Sequence, residues 1–343
     1  MAPDELSAWL DDAHDSFEKA IAAAGLVGHN VEVAGMSVRL RFAGPALEPA
    51  VMPAFAHLPP PSDGPPDLDV FLWDSGSTGM VPPWERLSGR HGILRPGDPD
   101  NAKAAPARAV YQPVEEAFSM VDGGRAMFWA LDASLLPNWE RAAPLRHVFS
   151  LALQSSGLHV VHAGAVGGED GGVLLIGPGG SGKSTAALAC LDSCLTYAGD
   201  DYVIVDPAGT PWVHSLYSSG KLELPQSRRF GHLDADHRPR QDEKALFFVH
   251  AQNPDRTTKG FPLRAVLIPC FGGHDSRHTS IEPISSKAEV LAALAPSTVF
   301  QLPAAGSSTL TALAKLVESL PAYRLRTGTD LSAIPSAIQA VLA

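Results

Sequence analysis

Residues 173–185 read Val-Leu-Leu-Ile-Gly-Pro-Gly-Gly-Ser-Gly-Lys-Ser-Thr, and Ala186-Ala187-Leu188-Ala189-Cys190-Leu191 follow. An apolar run enters, a helix-forming run leaves, and Gly177 to Thr185 between them fit the phosphate-loop pattern G-x-x-x-x-G-K-[ST]. Strand, glycine loop and helix in that order turn a pattern match into a physical site. Gly177, Gly179, Gly180 and Gly182, with Ser181 among them, let backbone N–H groups crowd around phosphate oxygens. The N-terminus of the following helix adds partial positive charge. Lys183 is expected to hold β- and γ-phosphates, Ser184 to ligate Mg²⁺ and Thr185 to complete the binding loop, so ATP and Mg²⁺ are the expected cofactors.

Upstream, Leu158 to Val166 reads as a strand and Gly167-Gly168-Glu169-Asp170-Gly171-Gly172 as a turn, so Val173 to Ile176 runs back antiparallel. If Val166 faces Val173, the same register puts His162 opposite Gly177, at the mouth of the loop. Downstream, Leu195 to Gly199 is the second strand of a strand–helix–strand unit and is expected to run parallel to the loop strand. Asp200 and Asp201 then fall at its carboxyl end, where open α/β sheets place their ligands. Two adjacent carboxylates suit phosphoryl transfer, one binding Mg²⁺ and the other accepting a proton from the attacking hydroxyl. Asp201 as base and Asp200 as metal ligand is the favoured assignment, with the order open. Tyr202-Val203-Ile204-Val205-Asp206 offers a competing metal ligand in Asp206. The turn Pro207-Ala208-Gly209-Thr210 after it fits a hairpin pointing away from the loop.

The strand His162-Ala163-Gly164-Ala165-Val166, the loop Gly177 to Ser184 and the pair Asp200-Asp201 match HPr kinase/phosphorylase in order and spacing, and the chain resembles that family over about residues 158–205. The resemblance implies a P-loop kinase domain of the HPr kinase and phosphoenolpyruvate carboxykinase type, with a mixed sheet. It implies phosphorylation of a serine hydroxyl on a peptide or protein. Lys183 and Ser184 would bind phosphate and Mg²⁺, His162 would line the active site, and Asp200 and Asp201 would supply metal binding and the base. The family's downstream Arg-Gly-Leu-Gly-type signature is absent, so neither the phosphorylase half-reaction nor HPr as acceptor is implied. Segments such as Leu216 to Leu222 and Ala295 to Thr298 resemble a divergent branch found with peptide natural products. Some of that branch act on the C-terminal serine of lasso-peptide precursors.

Phosphoryl transfer also gains from cations near the equatorial oxygens. Lys221, Arg228, Arg229, Arg238, Arg240, Lys244, Arg256 and Lys259 concentrate positive charge in one stretch. Lys221 and Lys244 adjoin expected strands and are the first candidates for acceptor or phosphate contacts, with Arg228 a third. Pro225 to Lys244 reads as a mobile segment.

The rest of the chain bounds the answer. Its 343 residues suffice for two domains, placed here at 1–136, an α+β region with no interpretable motif, and 137–343, the kinase-like domain. Apolar residues make up 45% and charged residues 18%, a composition for a packed core rather than disorder. A net charge of −11 excludes a nucleic-acid backbone as main partner. Three cysteines are too few for a disulfide framework, and Cys190 and Cys194 are expected to pack against the sheet from one helix. Neither a signal peptide nor a membrane-length apolar run is evident, so no membrane partner and a cytoplasmic location are expected. Expected partners are a peptide or protein carrying the acceptor serine and, in a homo-oligomer, further copies of the chain. A small-molecule kinase and a non-catalytic nucleotide-sensing adaptor are the alternatives. A transport ATPase is disfavoured by the absence of a Leu-Ser-Gly-Gly-Gln-type signature.

Overall fold

The computed structural model describes residues 3–84, 93–94, 107–236, 244–273, 277–303 and 305–343. The protein is mixed α/β with mixed sheets, and it divides into two compact units. The first comprises Met1–Ser155 with Leu302–Gly306, the second Ser156–Gln301 with Ser307–Ala343.

The first unit is a seven-stranded sheet in the order β1-β2-β3-β7-β6-β5-β4. Its strands are β1 (Leu26–Val33), β2 (Met36–Ala43), β3 (Leu68–Asp74), β4 (Ile93–Leu94), β5 (Ala107–Gln112), β6 (Ala117–Asp122) and β7 (Arg125–Ala130). Helix α1 (Pro3–Ala24) packs on β2, β3, β5 and β6. Trp9, Phe17, Phe71, Trp73, Phe118 and Trp129 are all buried there, so these rings form a core rather than a ligand box. Shorter helices follow: α2 (Glu48–Phe55), α3 (Ser75–Thr78), α4 (Asn138–Ala142) and α5 (Arg146–Ala152).

The division at Ser155 lies beyond the 136/137 boundary read from sequence, and the reason is packing. Helix α5 lies on β6 and β7 and α4 on α2. Buried Glu140 accepts a hydrogen bond from Gln112 of β5 (2.9 Å) and pairs with Arg146, which also reaches Glu115 (3.3 Å). A buried carboxylate without these donors would be costly, so the helical stretch is tied to the first sheet.

The second unit is organised around β16 (Gly260–Phe271). Sheet order is β11-β9-β10-β16-β13-β12-β8, and β18 joins β16 and β17. The strands are β8 (His159–Val161), β9 (Gly164–Gly168), β10 (Gly171–Leu175), β11 (Thr196–Gly199), β12 (Val203–Asp206), β13 (Trp212–Ser215), β17 (Ser280–Pro283) and β18 (Ala322–Thr327). A separate ribbon pairs β14 (Ser219–Leu222) with β15 (Ala245–Phe248). Helices are α6 (Lys183–Ala189), α7 (Leu224–Ser227), α8 (Val249–Gln252), α9 (Lys287–Gln301), α10 (Ser307–Ser319) and α11 (Ala333–Leu342).

Side chains alternate across this sheet, as the two-residue period of a strand requires. Val173 and Leu175 join α6, α11 and the ribbon in one core. Leu174 and Ile176 join α9 and α10 in the other. Such a two-faced strand reads as a continuous apolar run, which is how 173–176 reads.

Three expectations need correcting. Strand β11 does run in the direction of β10, but β9 lies between them, antiparallel to both. Helix α6 ends at Ala189 and tightens into a 3₁₀ turn, Cys190–Asp192. Cys190 is therefore buried, its thiol pKa pushed up by burial, while Cys194 has left the helix and is exposed. Within 225–244, Phe230 and Leu233 are buried, which pins that part of the segment down. His237, Pro239, Arg238 and Arg240 lie outside the described residues, as does most of the loop-rich stretch 76–107. Among the described residues no helix is long and apolar enough to cross a membrane.

Candidate active site

Two chain segments cross between neighbouring parts of the second unit's sheet, and they cross side by side. One leaves β8 and enters β9 through His162 and Ala163. The other leaves β11 and enters β12 through Asp200, Asp201 and Tyr202. Val161 faces Val203 and Ala165 faces Gly199, so both sides of the crossing share one antiparallel register. That register, rather than the β9–β10 ladder, brings His162 to the acidic pair. The β9–β10 ladder has Val166 facing Val173, but it ends at Gly164–Leu175, before position 162.

The close approach depends on glycine. A Cβ at Gly164 would lie 3.3 Å from the carbonyl oxygens of both Gly199 and Asp200. Both belong to the backbone of the crossing segment, which must shift to make room. Gly164→Ala is expected to cost about 1–3 kcal/mol, read as a fall in the urea midpoint at unchanged m.

At the crossing, His162 Nε2 lies 3.3 Å from Asp201 Oδ1, and Lys221 Nζ lies 2.7 Å from Asp201 Oδ2. Lys221 reaches from β14, and its backbone N–H donates to Asp200 Oδ2 at 3.1 Å. One ribbon residue thus holds both carboxylates. Behind the histidine, the His162 N–H donates to Thr298 Oγ1 of α9 (3.1 Å). Tyr202, whose ring lies 5.3 Å from the imidazole, donates its hydroxyl to Gln301 Oε1 (2.7 Å). No local sequence pattern announces the contacts of Thr298 and Gln301, because their partners lie 136 and 99 residues away.

The two aspartates differ sharply. Burial pushes Asp201 up, but the Lys221 ammonium and the His162 imidazole outweigh it and hold Asp201 well below the usual carboxylate range. Burial and the adjacent Asp201 charge push Asp200 up to about 6, against the pull of the Lys221 N–H, the nearby Ser184 hydroxyl and Lys183. Asp200 Oδ1 is buried and has no hydrogen-bond partner. Both Asp201 oxygens are engaged by donors, whereas Asp200 keeps an open one.

The phosphate loop lies beside this pair. Gly177 (φ 139°), Gly180 (φ 79°) and Gly182 (φ 104°) hold conformations that L side chains rarely adopt. A Cβ at Gly177 would also meet Ser181 Oγ at 2.8 Å. Gly179 has open space around it, and Ser184 and Thr185 are half-buried in the first turn of α6. Lys183 is buried, and its Nζ donates to the carbonyls of Gly177 (2.7 Å) and Pro178 (3.2 Å). Burial lowers its pKa, while the charges of Asp200 and Asp201 raise it. The loop lysine and both carboxylates therefore share one electrostatic field.

The other cations are placed differently. Lys221 is paired with Asp201 at 2.7 Å. Lys244 pairs with Glu223 at 3.1 Å, and both are substantially exposed. Arg228 is exposed on the 3₁₀ turn Arg228–Phe230, with no ion pair among the described residues, and the structure does not bring it to the carboxylates. Asp206 ends β12, about 10 Å of strand beyond Val203. It spends Oδ1 on the N–H of its own turn residue Ala208 (2.9 Å).

Mg²⁺ fits the donors present. The Ser184 hydroxyl offers a hard oxygen in the first turn of α6, beside Asp200. Among the described residues no group of three or more His, Cys, Asp or Glu forms a metal cage. Mg²⁺ ordinarily needs only one or two protein oxygens beside substrate phosphates.

No protein-family model matches the chain, and no curated protein matches it. Among solved structures it is similar to the HPr(Ser) kinase/phosphatase from Coxiella burnetii. Identity is 10% and the TM-score 0.27, over 54% of this chain and 93% of that one. At that level the likeness decides nothing about function.

Proposed function

We propose that the chain is an ATP- and Mg²⁺-dependent kinase that passes the γ-phosphoryl group to a serine hydroxyl of a peptide or protein. The observation that carries this reading is the meeting of a glycine phosphate loop with a carboxylate that has an open, buried oxygen. A sensor needs only the loop. A proton acceptor beside it is what transfer to a hydroxyl requires.

In this reading the serine oxygen bonds to the γ-phosphorus as the bond to the β–γ bridging oxygen breaks. The electron pair leaves with ADP, and the hydroxyl proton moves to Asp200 Oδ1. Asp201 stays ionised, fixed by Lys221 and His162, and orients both. Lys183 exchanges its two loop carbonyls for phosphate oxygens. Ser184, beside Asp200, would hold Mg²⁺, which supplies charge neutralisation on the β- and γ-phosphates when bound. A lasso-peptide precursor is the narrowest form of the acceptor, resting on the likeness in sequence to the divergent branch.

One observation favours a second reading. Lys183 spends two of its three N–H donors on its own loop, as a nucleotide-sensing adaptor that never transfers phosphate would allow. The readings part when the protein is incubated with γ-labelled ATP, Mg²⁺, candidate serine peptides and a metabolite extract. A phosphorylated peptide found by mass spectrometry supports the proposal, and a labelled metabolite moves it to a small-molecule kinase. Tight ATP binding with no labelled product establishes the adaptor. Lys183→Ala is expected to lower transfer by about 10²–10³-fold, because it removes a preorganised cation from the transferring group.

A further inference from the structure

The β14–β15 ribbon places a second cation beside the loop. Lys221 pairs with Leu246 and Leu222 with Ala245, so the same register sets Glu223 opposite Lys244. Their side chains meet at 3.1 Å. Residues two apart on a strand share a face, so Lys221, Glu223 and Lys244 all lie on one face of the ribbon. Lys221 fixes the direction of that face, because its ammonium sits on Asp201 at 2.7 Å. Strand β14 packs on α6, the helix that the phosphate loop opens. Lys244 is near enough to Lys183 for its charge to depress that lysine's pKa.

The two ribbon lysines are held with very different strength. Lys221 is largely buried against a carboxylate, whereas Lys244 is 44% exposed and its partner Glu223 63% exposed. An exposed ion pair is worth about 0–1 kcal/mol, so the pair with Glu223 itself offers little opposition to an exchange for a more highly charged anion. A nucleotide triphosphate on the loop would be such an anion.

We propose that Lys244 is a further nucleotide-binding residue, which leaves Glu223 for the phosphate chain when ATP binds, with Glu223 holding it in the nucleotide-free protein. This rests on the ATP reading above and assigns the ribbon a part in it. Lys221 steadies the carboxylates, and Lys244 contacts the phosphates. Glu223 then acts as a competitor that sets how tightly the triphosphate is held.

Calorimetric titration of ATP and AMP into the full-length protein, wild type and variants, tests this. Lys244→Ala should weaken ATP by about tenfold or more and leave AMP within twofold, since one charge-assisted contact to phosphate is lost. Lys244→Arg should restore most of the ATP affinity. Glu223→Gln should tighten ATP a few-fold, because the competing carboxylate is gone. Unchanged ATP affinity in Lys244→Ala overturns the inference while leaving the ATP reading intact. A raised KM for the acceptor with unchanged ATP affinity does the same and moves Lys244 to the acceptor. Wild-type protein that binds no ATP removes the reading itself, and this inference with it. Thermal melting of each variant separates a lost contact from a lost fold.

Discussion

Asp200→Asn is expected to make the nucleotide-free protein more stable at pH 7 while lowering phosphoryl transfer by about 10²–10⁴-fold. Both effects have one cause. Asp200 is 2% exposed, its Oδ1 has no donor, and its pKa is pushed from 3.8 up to about 6. Holding that carboxylate ionised at pH 7 costs on the order of 2–3 kcal/mol relative to the unfolded chain. The amide removes the charge and keeps an oxygen for the Lys221 N–H. The sign follows from proton uptake. The folded state binds the extra proton between about pH 4 and pH 6, so stability falls as pH rises through that window, and the cost is complete above it. The gain from Asn should therefore be full at pH 7 and fade toward pH 4, read from thermal melts across that range. Transfer moves the other way, because a base must be ionised, and kcat/KM should fall as pH drops through about 6. Survival of transfer in Asp200→Asn, with its loss in Asp201→Asn, would return the base to Asp201.

The second large effect is expected at Lys221. Lys221→Met removes the ammonium from Asp201 and leaves a mostly buried carboxylate with the imidazole alone. Breaking such a pair by deleting one partner costs about 3–5 kcal/mol when both are buried. The side chains here keep 13% and 20% exposure, so about 2–3 kcal/mol is the expected loss. The double variant Lys221→Met with Asp201→Asn should recover most of it, since no charge is left without a partner. The coupling in that cycle measures the pair directly. Asp201 is held below its ordinary range, so its contribution is present above about pH 4 and is lost as pH falls through the folded-state value. The gap between wild type and Lys221→Met should be largest at pH 7 to 8 and shrink in acid. A double variant no more stable than Lys221→Met alone would mean that packing, not charge, holds the ribbon there.

Much of this was readable from the chain alone. The apolar run 173–176, the glycines of the loop and the register of Val166 with Val173 follow from strand period and turn chemistry. Elements whose periodicity is strong and local are legible for the same reason. Helix α2 was not, because Pro49 and Pro53 make Glu48–Phe55 look like loop. The pairing of Lys221 with Asp201 was out of reach too. It depends on a two-stranded ribbon whose second strand begins at Ala245. Thr298 and Gln301 lie 136 and 99 residues from His162 and Tyr202, the groups they support, and no local pattern announces contacts of that span. The same holds for the ranking of the two aspartates. Adjacent identical residues read alike in sequence, and only burial and neighbours tell them apart.

The paired crossing between β8–β9 and β11–β12 makes the centre intolerant of any change in length. Spacing among the imidazole, the two acids and the loop is set by counted peptide units on rungs at either end, not by flexible connections. Adding or removing a single residue between Val161 and Gly164, or between Gly199 and Val203, would swap inward for outward side chains. The ribbon is fastened to that seam twice, by Lys221 on Asp201 and by the Tyr197 hydroxyl, which donates to the Ser219 carbonyl at 2.6 Å.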